Sequence, residues 1–139
     1  MDLLTTHSQD MRRFVEAVAQ RAHVDRYEEA SQLSQATIEV LGQAISGGEA
    51  AQLARWLPDE LGSVLTEQSG NASRFDKFNF LDSIGARIPA VDTERVEQQV
   101  VAVLNVLRRT ASGDELADTI AQLPPELSAM FGPHPDSGE

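Results

Sequence analysis

The chain writes nearly the same pentapeptide twice, Leu57-Pro58-Asp59-Glu60-Leu61 and Leu123-Pro124-Pro125-Glu126-Leu127. The two copies lie 66 positions apart, and the correspondence extends well beyond them. Shifted by 66, residues 14–65 lie over 80–131 without a gap, and 15 of these 52 pairs are identical. Ordinary composition would give roughly one pair in fifteen by chance. The identities include Phe14/Phe80, Arg21/Arg87, Glu28/Glu94, Leu41/Leu107, Ser46/Ser112, Gly47/Gly113 and Glu49/Glu115. An internal duplication explains them, and it restricts the fold to something built from two similar units.

Each unit reads as helical. Phe14, Val18 and Ala22 recur at spacing four and predict a first helix over about 10–22. Its copy carries Phe80, Leu81, Ile84 and Ile88 and stops near Pro89. The second helix is the longest. Its stripe is Tyr27, Ala30, Ser34, Ile38, Leu41 and Ile45, with Asp25 as N-cap and Gly47 as C-terminal stop. The copy starts near Asp92 and carries Val96, Val100, Val103, Leu104 and Leu107. Val101 and Val106 widen that stripe, so the second copy is expected to be the more deeply buried. A third helix comes after the SGGE and SGDE turns, capped by Ser46 or Gly48 and by Ser112 or Asp114.

The repeated pentapeptide then reads as a corner. Proline lacks an N–H and disfavours helix in the residue before it, so Leu57 and Leu123 end the third helix. Pro58 and Pro124 suit the first position of a short fourth helix, with Glu60 and Glu126 in its positive first turn. Leu61, Val64 and Leu65 point inward, as do Leu127, Met130 and Phe131. The joint carries one turn signal, Ser69-Gly70-Asn71, and Phe75 and Phe78 already belong to the next helix.

The expected fold is all-α, a tandem duplication of a three-to-four-helix unit packed as one pseudo-twofold helical domain. Neither unit of about 55 residues buries its stripes alone. The domain spans 10–132, with one repeat over 10–66 and the other over 76–132. Residues 1–9 are expected to be flexible, and the tail 133–139 to be disordered for want of an apolar anchor.

Composition narrows function by exclusion. With no cysteine there is no disulfide, thiolate metal site or cysteine nucleophile, and a cytoplasmic location is the expectation. No signal peptide and no membrane span are read. The net charge of −11 argues against nucleic acid and anionic membrane surfaces as partners and suits a basic one. The three histidines, His7, His23 and His134, are scattered, so no metal site is expected. No nucleotide-binding, zinc-protease or nucleophile-elbow motif occurs, and no carboxylate pair stands out. No catalytic residue and no cofactor are assigned.

What repeats among polar residues is arginine with glutamate. Arg21 and Arg87 stand late in the first helices, and Glu60 and Glu126 stand in the corners. Each arginine either bridges its helix to the corner or lines a central anion-binding cleft. Trp56, opposite Gln122 in the other unit, is either a core plug or a partner-binding anchor.

The order F-x-x-x-V-x-x-R, a long helix ending in SGGE, then A-x-x-LP-x-E-L, written twice, resembles DUF2267. SGGEAAQLARWLPDEL and SGDELADTIAQLPPEL carry most of the resemblance, which covers about residues 10–132. That bacterial family of uncharacterised helical proteins implies an all-α duplicated domain and transfers no activity. The first unit departs from the pattern in its long helix, which carries the polar Ser31, Gln32, Ser34 and Gln35.

The leading functional expectation is a non-catalytic cytoplasmic interaction module with a protein partner, a second copy of the chain included. The alternative is a carrier that binds an apolar or anionic small molecule between the repeats. An enzyme with an unrecognised site is the third reading.

Overall fold

The corner prolines and the capping residues divide the chain into short helices. The computed structural model describes residues 8–70, 76–88, 93–111 and 114–131, and no strand occurs among them. The helices are α1 (Gln9–Ala22), α2 (Tyr27–Gln43), α3 (Gly47–Ala54), α4 (Asp59–Gln68), α5 (Lys77–Gly85), α6 (Thr93–Thr110), α7 (Asp114–Gln122) and α8 (Pro125–Ala129).

Local chemistry accounts for most boundaries. Ser8 Oγ accepts from Met11 N–H at 3.0 Å and opens α1. Ser46 does the same for Glu49 at the start of α3, at 3.2 Å, and Asp76 for Asn79 at the start of α5, at 2.7 Å. α1 ends in a left-handed residue, His23, at φ 57°. The break is continued by Val24 N–H donating to Ala19 O at 2.9 Å. Gly70, at φ +117°, makes the turn after α4, and its N–H donates to Ile45 O.

Several expected boundaries shift. The residue flanking α2 is Arg26, not Asp25, and it offers no side-chain cap. The chain leaves α2 at Ala44, before Gly47, and Gly47 instead begins α3. Pro58 and Pro124 stand one residue outside α4 and α8, at N-cap with extended backbone, and in the second corner it is Pro125 that takes the first helical position. α3 ends at Ala54, and Arg55, Trp56 and Leu57 form tight i→i+3 turns before the proline, with N–H groups donating to Gln52, Leu53 and Ala54 carbonyls. The expected loose tail, most of the expected loose N-terminus, Phe75, Pro89, Asp92 and Ser112 lie outside the described residues.

α2 is the central post. It packs against α1, α4, α5 and α6. Its polar residues do not place it at the surface: Ser31, Ser34 and Thr37 are all buried, along with Leu33, Ile38 and Leu41. Small side chains let neighbours approach a helix surrounded on several sides, and Ser34 satisfies its own hydroxyl by donating to Ala30 O at 2.8 Å. The first long helix is therefore buried as thoroughly as the second, contrary to what the valine-rich stripe of α6 suggested. At Gly42 the packing is closest: a Cβ there would stand 2.7 Å from the Leu65 carbonyl oxygen of α4.

Helix neighbours form a crossed pattern. α1 lies on α6, and α5 lies on α2; α1 also packs on α2, and α5 on α6. α2 meets α6, and α3 meets α7. The apolar face of α1 (Met11, Val15, Val18) thus shares one buried cluster with Val100, Val103 and Leu107 of α6. Arg87, in the turn after α5, ties the halves at the surface, donating from Nε to Glu39 Oε1 of α2 at 3.1 Å.

Candidate cationic groove between the two halves

The crossing of α1 over α6 leaves a groove of about 580 Å³ beside the first corner. Three stretches line it. On α1, Asp10, Arg13, Phe14, Ala17 and Arg21 recur three and four apart, which sets them on one face. On α6, Val106, Arg109 and Thr110 do likewise. Between α3 and α4 come Arg55, Trp56, Leu57 and Pro58. The corner explains the last set. The tight turns before Pro58 bury Leu57 on the core and leave Arg55 and Trp56 facing out, with Trp56 39% exposed.

The groove gathers four of the chain's ten arginines, Arg13, Arg21, Arg55 and Arg109, against a single carboxylate, Asp10. The chain as a whole carries −11. No ion pair or hydrogen bond of these four guanidinium groups occurs among the described residues. Two of them have a local reason to be basic, since Arg21 and Arg109 stand in the last turns of α1 and α6, where the helix dipole favours a cation by about 0.3–1 kcal/mol. The dipole does not require them to converge with Arg13 and Arg55. Like charges so arranged repel, and an anion between them relieves that repulsion.

The halves differ sharply at these positions. Sixty-six residues on from Arg13, Arg55 and Trp56 stand Asn79, Ala121 and Gln122, and 66 back from Arg109 stands Gln43. Only Arg21 has a basic counterpart, Arg87. Arg87 is occupied, by Glu39 and by the Ser83 carbonyl at 2.6 Å. The position matching Glu39 is Asn105, whose amide donates to its own helix at Val101 O. The two sides thus keep the corner and part on the groove.

Of the residues singled out in the sequence, then, Arg21 and Trp56 meet in one groove, while Arg87, Glu60 and Glu126 do not line it. Trp56 is a groove wall and not a core plug. The bridge from Arg87 to its corner is replaced by the bridge to α2. Glu60 and Glu126 instead close helix starts. Glu60 accepts from Ser8 N–H at 2.6 Å and Ser8 Oγ at 3.0 Å, and Glu126 accepts from Lys77 N–H at 2.9 Å. Arg13, Arg55 and Arg109 were not singled out. Arg13 and Arg21, eight apart on a predicted helix, were a usable signal; Arg109 was not, because only the crossing of α1 over α6 brings it near.

A smaller hollow of about 430 Å³ adjoins the same helix and is lined by Gln9, Arg12, Arg13 and Glu16. Nearby, burial raises the Tyr27 phenol above its usual range, with Arg12 opposing and Glu16 and Glu60 adding to the rise. His23 is an exposed helix-end residue, and no group of three or more His, Asp or Glu able to hold a metal occurs among the described residues. No described helix is long and apolar enough to cross a membrane.

A search of the curated proteins found no match. The model of a family described as an uncharacterized conserved protein, DUF2267, matches residues 11–130. The chain, with its paired corners and all-helical build, belongs to the DUF2267 family.

Proposed function

We propose that this protein is a non-catalytic cytoplasmic binding protein that holds an anionic ligand in the groove between two tandem copies of one helical unit. The crossed helix neighbours support the duplication and a pseudo-twofold arrangement: exchanging α1 with α5 and α2 with α6 maps the packing of α1 on α2 and α6 onto that of α5 on α6 and α2, though among the described residues the close packing of α4 on α2 has no equivalent between α8 and α6. The paired capping roles of Glu60 and Glu126 support it too.

The observation that carries the functional reading is the gathering of Arg13, Arg21, Arg55 and Arg109 in one groove of an otherwise acidic chain. Residues needed for folding recur in both units, as the corner leucines and prolines do. The groove's basic residues do not recur, apart from Arg21, so the second unit does without them. Guanidinium forks recognise carboxylate and phosphate in two-point fashion, and the volume falls in the range of about 300–1,000 Å³ usual for small-molecule sites. This favours the carrier reading over the interaction module. The exposed Phe78, at 66%, is what still supports a protein partner on another face.

Isothermal titration with inorganic pyrophosphate at low salt tests the reading. Binding is expected, weakening as salt rises. Arg21→Gln with Arg109→Gln should remove it while leaving the thermal midpoint within a few degrees of the parent. A wild-type protein that takes up no pyrophosphate would overturn it.

A further inference from the structure

Resting on that reading of the groove, we infer that its ligand is a nucleoside diphosphate or a molecule of the same make, a planar ring joined to a short phosphate chain. Three features of the groove select this class.

The first is charge. Four guanidinium groups and one carboxylate leave the groove with three net positive charges. A diphosphate ester carries about −3 near neutral pH, counting up to about −2 on the terminal phosphate. A single carboxylate would leave most of the arginine repulsion in place.

The second is Trp56. It is the chain's sole tryptophan, and it stands in the groove wall, partly open to water, between Arg55 and the corner. A simple inorganic anion has no use for an indole. A planar base stacks on one, worth about 1–3 kcal/mol per base. The apolar strip formed by Phe14, Leu57 and Val106 in the same groove extends the surface that such a ring can cover.

The third is extent. The groove is cationic, while the chain as a whole is strongly acidic. A net charge of −11 repels a long polyanion on average, whereas a mononucleotide is short enough to lie within the groove. The chemistry therefore combines the stacking platform of a nucleic-acid site with the reach of a small-molecule site.

Because Trp56 is the only tryptophan, its fluorescence reports the groove directly. The experiment titrates the full chain with ADP, pyrophosphate, adenosine and a single-stranded 12-mer. ADP should quench Trp56 and bind more tightly than pyrophosphate, and adenosine should bind weakly. Followed by isothermal titration, because it removes the sole tryptophan, Trp56→Ala should weaken ADP roughly tenfold, within the span that 1–3 kcal/mol of stacking allows, and weaken pyrophosphate far less. Trp56→Phe keeps a ring, retains part of the ADP affinity, and guards against a mere folding defect. If ADP and pyrophosphate bind alike and Trp56→Ala changes neither, the ring-binding inference is wrong and the anion reading stands. If neither binds, both fall. If the 12-mer binds more tightly than ADP, the site is a polynucleotide groove and this inference is overturned.

Discussion

Glu49 sits in the first turn of α3, where the helix dipole suits its charge, yet its Oε2 is buried with no hydrogen-bond partner among the described residues. Burial raises its carboxyl above the ordinary range; a hydrogen bond from the Ser46 backbone opposes the rise and the nearby Asp118 of α7 adds to it. The folded state therefore holds this proton more tightly than the unfolded chain, whose glutamates titrate near 4.3. The penalty on stability is absent below about pH 4, grows as pH rises through the folded value, and is complete above it. Glu49→Gln should raise the thermal midpoint at pH 8 by about 1–2 °C, short of the ~3–4 °C that a full kilocalorie would give in a domain of this size, because the carboxyl is partly solvated. The gain should vanish at pH 4. Melting curves of the two proteins at both pH values check this; an equal gain at pH 4 would show that charge is not the cause.

At the level of elements, the repeated corner does two jobs. Its proline and leucines lie where one helix gives way to the next, although the first proline stands at N-cap and not at the first helical position that its missing donor suggested. Its glutamate reaches some fifty residues back and closes the start of α1 or α5, which no local rule announces. Glu60 accepts two bonds from Ser8, and Glu126 accepts one from Lys77. Glu60→Ala should accordingly cost about 1 kcal/mol in urea denaturation, and Glu126→Ala about half of that. Hydrogen exchange should quicken at the amides of Arg12 and its neighbours in the first variant and at those of Asn79 and Phe80 in the second. Fast exchange elsewhere, with these amides unchanged, would place the role of the glutamates in some other contact.

Across the molecule as one body, the crossing of α1 over α6 sets both the core and the groove. Much of the apolar face of α1 is covered by the other half, and α5 is likewise spread over α2 and α6. Residues 1–70 and 71–139 made as separate chains should each lack a cooperative thermal transition. Mixed, they should recover helicity and a transition, because the burial each lacks is supplied by the other. Circular dichroism decides it, and a cooperative melt of 1–70 alone would mean that the halves are independent domains.

That the chain is helical, where most helices lie, and that LPxEL is a corner were all legible in the order of residues. They come from spacing, from proline's missing N–H and from short capping side chains, which act within a turn or two of chain. Arg21 and Trp56 stood out at the same level. Folding in three dimensions was needed to make α2, with Ser31, Ser34 and Thr37, the buried centre, since burial depends on how many neighbours surround a helix and not on its own polarity. Folding also separated Arg21 from Arg87. Two arginines at equivalent positions differ because Glu39 faces one, and because α6 brings Arg109 to the other across 88 residues of chain. Charge acts through space, and proximity in space between distant segments is what packing supplies and local sequence does not.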